Sequence, residues 1–136
     1  MSEQQPKVSR RRFIQSVGAG AAMFHIVPAH VLGADNGTAP SDRIRIAGIG
    51  VGSRGFSDLR NLSRAGAEVT HLCDVDWDYA SDAAKHFDKA KRYTDFRELF
   101  DKAGDEFDAV MVGTPDHTHT VISLRAIRAG KAVYCE

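Results

Sequence analysis

The chain has 136 residues with 18 basic and 18 acidic side chains, so its formal net charge of zero leaves no electrostatic footprint for nucleic acid or an anionic membrane surface. Hydrophobic content of 43% beside 26% charged residues is ordinary for a globular chain and excludes wholesale disorder. The length accommodates one domain, and the two cysteines, Cys73 and Cys135, are too few for a disulfide framework.

The chain opens on an address. Ser9-Arg10-Arg11-Arg12-Phe13-Ile14-Gln15 fits the twin-arginine export pattern of a polar residue, two arginines, any residue and two apolar ones. From Val17 to Leu32 the chain is apolar and rich in small residues, but His25, Pro28 and His30 break it, and it is too short to span a bilayer. Residues 1–33 read as a signal for the twin-arginine translocase, which carries folded cargo and suits a protein loaded with a cofactor before export. The mature protein is then expected in the periplasm or otherwise outside the cytoplasm. A basic amphipathic helix or a disordered arm is the alternative reading. Cleavage fits Val27-Pro28-Ala29 or Val31-Leu32-Gly33, residues 34–41 form a turn-rich linker, and the folded domain is expected over 42–136.

Within that domain short apolar runs alternate with longer amphipathic ones, the pattern of a parallel sheet covered by helices. Strands are predicted at 44–49, 68–73, 109–114 and 132–135, with a shorter one near 92–94. Phe56, Leu59, Leu62 and Ala65 follow helical spacing up to Gly66. A second helix is predicted from Trp77 to Phe87, capped by Asp76, and Asp95-Phe96-Arg97-Glu98 has the spacing of a capping box for a third. The last is expected from His117 to Ala129, with Val121, Leu124 and Ile127 inward and Gly130 as the stop. Cys73 and Cys135 each lie near the end of a predicted strand and are expected to be buried thiols in strands that are not neighbours. The fold class is α/β, a doubly wound parallel sheet of the Rossmann type.

The segment that carries chemistry runs from Ile44 to Gly55, a strand entering a glycine turn and then a helix. Gly50, Gly52 and Gly55 fall in the G-x-G-x-x-G register, which serves respectively a tight turn, close approach of backbone to a pyrophosphate, and close packing of helix on strand. Ser53 lies inside the turn and Arg54 adds a cation beside the phosphates, where helix N–H groups also point. Asp74, nineteen residues beyond Gly55, ends the second strand. A carboxylate there accepts the adenosine ribose hydroxyls and repels a 2′-phosphate, which favours NAD over NADP. A helix-capping role for Asp74 is the plainer alternative, and Asp76 is the fallback ribose ligand.

Thr114-Pro115-Asp116-His117-Thr118-His119 follows the fourth strand, at the end of the sheet where such folds bind ligands. Its two histidines suggest a metal at first sight, but no cysteine or carboxylate cluster accompanies them, so no metal site is assigned. Thr114 or Asp116 as a helix cap is compatible with cofactor contact.

These segments resemble the Gfo/Idh/MocA oxidoreductases, which pair a Rossmann domain with a larger, mostly antiparallel sheet domain. The resemblance covers residues 42–136. It rests on the Gly50-Gly52-Gly55 turn, Leu72-Cys73-Asp74-Val75-Asp76, Asp108-Ala109-Val110 leading to Thr114-Pro115 and His119, and Gly130-Lys131-Ala132-Val133-Tyr134-Cys135-Glu136. It implies that Thr114, Pro115 and Glu136 line the nicotinamide half of the site, with His119 nearby. Members of the family follow that last glutamate with a lysine that acts at the nicotinamide. The chain is expected to be truncated before that lysine and before the α+β substrate domain, so no catalytic residue is assigned.

Three functions remain in play. The first is the nucleotide-binding part of an exported NAD(P)-dependent oxidoreductase that acts on a sugar- or cyclitol-like molecule and, at full length, could self-associate. The second is an NAD-dependent glycoside hydrolase of the same family, which oxidises one carbon and restores it within a turnover. The third is a nucleotide-binding remnant without catalysis. Net reduction of NAD on sugar marks the first, and sugar release without net turnover the second.

Overall fold

The structure, a computed structural model, describes residues 42–136; the signal and linker expected over 1–41 lie outside the described residues. Five parallel strands run in the order β3-β2-β1-β4-β5. These are β1 (Arg45–Ile49), β2 (Glu68–Cys73), β3 (Lys91–Tyr93), β4 (Ala109–Val112) and β5 (Ala132–Cys135). The helices between them are α1 (Ser53–Arg64), α2 (Ser81–His86), α3 (Phe96–Ala103) and α4 (Asp116–Arg128). The chain winds outward from β1 to β3, then restarts on the other side at β4. The switch point therefore falls between the carboxyl ends of β1 and β4, where doubly wound sheets open a crevice.

Strands covered on both faces read as continuous apolar runs, and β1 and β4 do so. On one face Ile46, Leu72 and Met111 pack with Leu59 of α1 and Ala83 of α2. On the other, Ala47, Ile49, Val110 and Val112 pack with Leu99 and Phe100 of α3, Phe107, and Ile122 and Ala126 of α4. α1 ends at Gly66, whose φ of +105° is a left-handed conformation that suits glycine. Asp95 caps α3 by accepting from the Arg97 N–H at 2.8 Å.

The structure corrects four details of the predicted layout. Val121, Leu124 and Ile127 face outward on α4, and the buried face is Ile122 and Ala126. Two apolar stripes share this helix, and the one with the small Ala126 seats closer to the sheet. The second helix is shorter than predicted: residues 77–80 form turns and α2 starts at Ser81. β4 stops at Val112, which leaves Gly113 and Thr114 in the loop that follows. Cys73 is buried, but Cys135 is exposed because β5 lies at the sheet edge.

The amino ends of the strands are tied by charge. Asp108 accepts from the Arg45 backbone N–H at 3.0 Å and from its guanidinium at 2.7 and 3.0 Å. Lys91 Nζ lies 2.6 Å from Glu106, which also approaches the buried His71 Nε2 at 3.3 Å.

Candidate functional site

At the opposite end of the sheet, three backbone segments come into direct contact. Gly50 leaves β1 with φ +76° and donates its N–H to the Cys73 carbonyl at 2.8 Å. A Cβ on Gly50 would stand 2.5 Å from the Thr114 nitrogen, and one on Gly55 would stand 2.0 Å from the Gly50 carbonyl oxygen. A Cβ on Gly113 would meet that same oxygen at 2.8 Å. The end of β1, the start of α1 and the loop after β4 are thus in backbone contact. Such spacing is closed to any other residue.

The first turn of α1 is open to an anion. Its N-cap, Gly52, has no side chain to accept the orphan N–H groups, and the first turn contains no acidic residue. Ser53, the first helical residue, has φ +40°, a left-handed conformation unusual for a side-chain-bearing residue and found most often where a site is built. The side chain of Arg54, 69% exposed, is engaged by two carboxylates. Its Nε lies 3.0–3.1 Å from the Glu136 carboxylate oxygens and 3.4 Å from the buried Asp58.

Asp74 is only half-buried, yet its carboxylate is well occupied. Oδ2 accepts from the backbone N–H groups of Val51 and Gly52 at 2.8 and 3.2 Å, and Oδ1 accepts from Asp76 N–H at 3.0 Å. Asp76 in turn accepts from the N–H groups of Asp78 and Tyr79 at 3.1 and 3.0 Å, which holds the turn over 77–80; it does not cap α2 as the sequence predicted, because that helix starts later, with Ala80 as its N-cap. Neither aspartate pairs with a cation among the described residues, so their charges remain uncompensated. Beneath them burial, reinforced by Asp74, pushes the Cys73 thiol up to about 12, which keeps it neutral and unreactive in the wall.

A cavity of about 750 Å³ opens over these groups. Of the residues singled out from sequence, Gly50, Gly52, Ser53, Arg54, Asp74, Thr114 and Pro115 line it; Gly55 supports it from below, and His119 and Glu136 do not line it. His119 turns away to donate its Nε2–H to the Thr114 carbonyl, and Glu136 is engaged by Arg54. Neither Thr114 nor Asp116 caps α4, whose N-cap is Pro115; Thr118 Oγ1 instead donates to the Pro115 carbonyl at 2.8 Å. Sequence reasoning passed over Gly113, Tyr79 and Asp58. A glycine that interrupts the apolar run before Thr114-Pro115 is a signal that would have found Gly113.

This arrangement fits a dinucleotide. Glycines whose Cβ positions are filled by backbone fix the turn, the uncapped helix end offers N–H groups to a diphosphate, and a carboxylate stands at the end of β2.

Comparison with known proteins bears on the same residues. A family described as an oxidoreductase family with an NAD-binding Rossmann fold matches residues 44–136. Inositol 2-dehydrogenase 2 of Saccharopolyspora erythraea is 39% identical over 95 residues, covering 68% of this chain and 27% of that protein. An alpha-N-acetylgalactosaminidase of Shewanella oneidensis is 31% identical over 103 residues, covering 68% of this chain and 22% of that protein. The solved myo-inositol 2-dehydrogenase of Lactobacillus plantarum matches with a TM-score of 0.61 at 25% identity, over 68% of this chain and 27% of that one. The chain spans about a quarter of the length of these relatives.

Proposed function

The chain belongs to the Gfo/Idh/MocA oxidoreductase family as an NAD-binding Rossmann domain, and from that membership we propose that it serves an exported enzyme acting on a hydroxyl of a cyclitol or sugar-like substrate. The observation that carries the reading is the glycine turn beneath an uncapped helix, with Asp74 beside it. Gly50, Gly52 and Gly55 let the diphosphate approach, the first N–H groups of α1 and the Ser53 hydroxyl receive it, and Arg54, paired with Glu136 and Asp58, brings its guanidinium to the same cavity. Asp74 Oδ1, which accepts a single N–H, has a further lone pair for a ribose hydroxyl, while Oδ2 already accepts two, and the charge of the carboxylate, with that of Asp76 as a second ligand, disfavours the 2′-phosphate of NADP. Thr114 and Pro115 form the nicotinamide side, His119 supports them through the Thr114 carbonyl, and Glu136, held by Arg54, is the further residue that the family resemblance assigns there. The bound nicotinamide supplies hydride transfer to or from a substrate carbon.

The choice of substrate class draws on the inositol dehydrogenase relatives. The alpha-N-acetylgalactosaminidase relative favours a second reading, glycoside cleavage with transient use of NAD. Export through the twin-arginine translocase to the periplasm rests on Arg10-Arg11 and the residues around them.

The test uses the full-length protein. Asp74→Ala is expected to weaken NAD binding about tenfold in calorimetric titration, because charged hydrogen bonds are lost. It should also loosen the turn, which loses three backbone partners. Unchanged affinity would remove Asp74 from the site, and an inability of the unmodified protein to bind NAD would sink the reading. Net NADH formation on inositols or sugars, against sugar release without it, separates dehydrogenase from hydrolase.

A further inference from the structure

The three glycines of the turn are glycines for different reasons. Backbone fills the Cβ positions of Gly50 and Gly55, but at Gly52 the space is taken by a side chain: a Cβ there would lie 2.3 Å from both Cδ1 and Cε1 of Tyr79. The Tyr79 ring therefore rests directly on the peptide that a diphosphate must approach. It is 65% exposed and lines the same cavity as Gly50, Ser53 and Asp74. That cavity still measures about 750 Å³ with the ring in place, so the ring flanks the space and does not plug it.

The backbone that carries the ring is anchored by a chain of hydrogen bonds that leads back to Gly52. The Gly52 N–H donates to Asp74 at 3.2 Å, Asp74 accepts from Asp76 at 3.0 Å, and Asp76 accepts from the Tyr79 N–H at 3.0 Å. The Tyr79 ring then closes the circuit on Gly52. The two carboxylates that ring the ribose seat are the same groups that hold the aromatic wall beside it. A large exposed ring held in this way offers a ligand an apolar face without having to be ordered on binding.

We infer that Tyr79 is a cofactor-contacting residue, the outer wall against which the adenosine ribose and its adjoining phosphate pack, and that Gly52 is held to glycine by this ring as well as by the phosphate. The inference rests on the dinucleotide reading above. In the full-length protein Tyr79→Ala is expected to weaken both NAD and ADP-ribose about five- to tenfold, while Tyr79→Phe stays within about twofold because the ring, not the hydroxyl, makes the contact. Gly52→Ala should lower the thermal midpoint, and Gly52→Ala combined with Tyr79→Ala should recover part of that loss with no ligand present. Affinity that is unchanged or tighter in Tyr79→Ala, with NAD binding intact in the unmodified protein, would overturn this inference alone. A double variant no more stable than Gly52→Ala would do the same. Loss of NAD and ADP-ribose binding in the unmodified protein would overturn the dinucleotide reading together with it.

Discussion

The two ends of this parallel sheet hold their aspartates in different ways. At the amino ends, Arg45 with Asp108 and Lys91 with Glu106 neutralise one another across neighbouring elements. At the carboxyl ends Arg54 with Glu136 and Arg97 with Asp95 pair as well, but Asp74 and Asp76 are held by backbone N–H groups, which fixes their position and leaves their charge in place. A charge spent on another charge organises the fold; a charge spent on the backbone stays available to a ligand. The difference lies in the partners, because aspartates stand at both ends.

The sharpest way to break the ligand end is Gly55→Ala. Its methyl would fall 2.0 Å from the Gly50 carbonyl oxygen, with backbone on both sides and no flexible side chain to yield. A loss of about 3 kcal/mol is expected in denaturant titration. Gly104→Ala is the control, since an added Cβ there meets nothing within 4 Å, and it should be nearly neutral. Equal effects from the two would mean that the turn is looser than described.

A smaller, pH-dependent effect probes the other end. His71 is buried, and burial holds its pKa below the ordinary 6.5, against the opposing pull of Glu106 and with lesser contributions from Lys91 and Arg45. The unfolded chain then takes up the proton first, so stability should fall as pH drops below about 6.5. His71→Phe should flatten that slope between pH 7 and 5 while changing stability by less than about 1 kcal/mol at pH 7.5. A slope identical to that of the unmodified protein would assign the dependence elsewhere.

The smallest effect belongs to Asp108. Its hydrogen bonds from Arg45 hold the carboxyl at about 2, below the ordinary 3.8. The stabilisation is therefore present above pH 4 and lost as pH falls towards 2. Because both side chains are partly exposed, Asp108→Asn should cost no more than about 1 kcal/mol at pH 7. The gap from the unmodified protein should close in acid; a gap that widens would contradict the pairing.

Much of the ligand end was legible because its signals are local. An apolar strand, glycines at fixed offsets and an acidic residue at the end of the next strand all fall within a short stretch of sequence. What escaped depends on distant partners. Gly113 matters because Gly50 and Gly55 arrive from another part of the chain, and Gly52 matters partly because Tyr79 comes to rest on it. The inward face of α4 was misread for a related reason. Val121, Leu124 and Ile127 are larger than Ala126 and dominate the helical pattern, but seating against β4 and β5 is decided by which stripe lets the backbones approach. Asp58, buried within an amphipathic helix with Arg54 as its cationic partner, leaves no trace in the pattern at all.

The backbone contact among Gly50, Gly55 and Gly113 also constrains how such a domain can diversify. Those three positions have no room for variation, so any drift towards a different nucleotide must be written in the side chains around them, from Asp74 through Asp76 to Tyr79. An engineer seeking NADP specificity would leave the turn alone and recode that short loop.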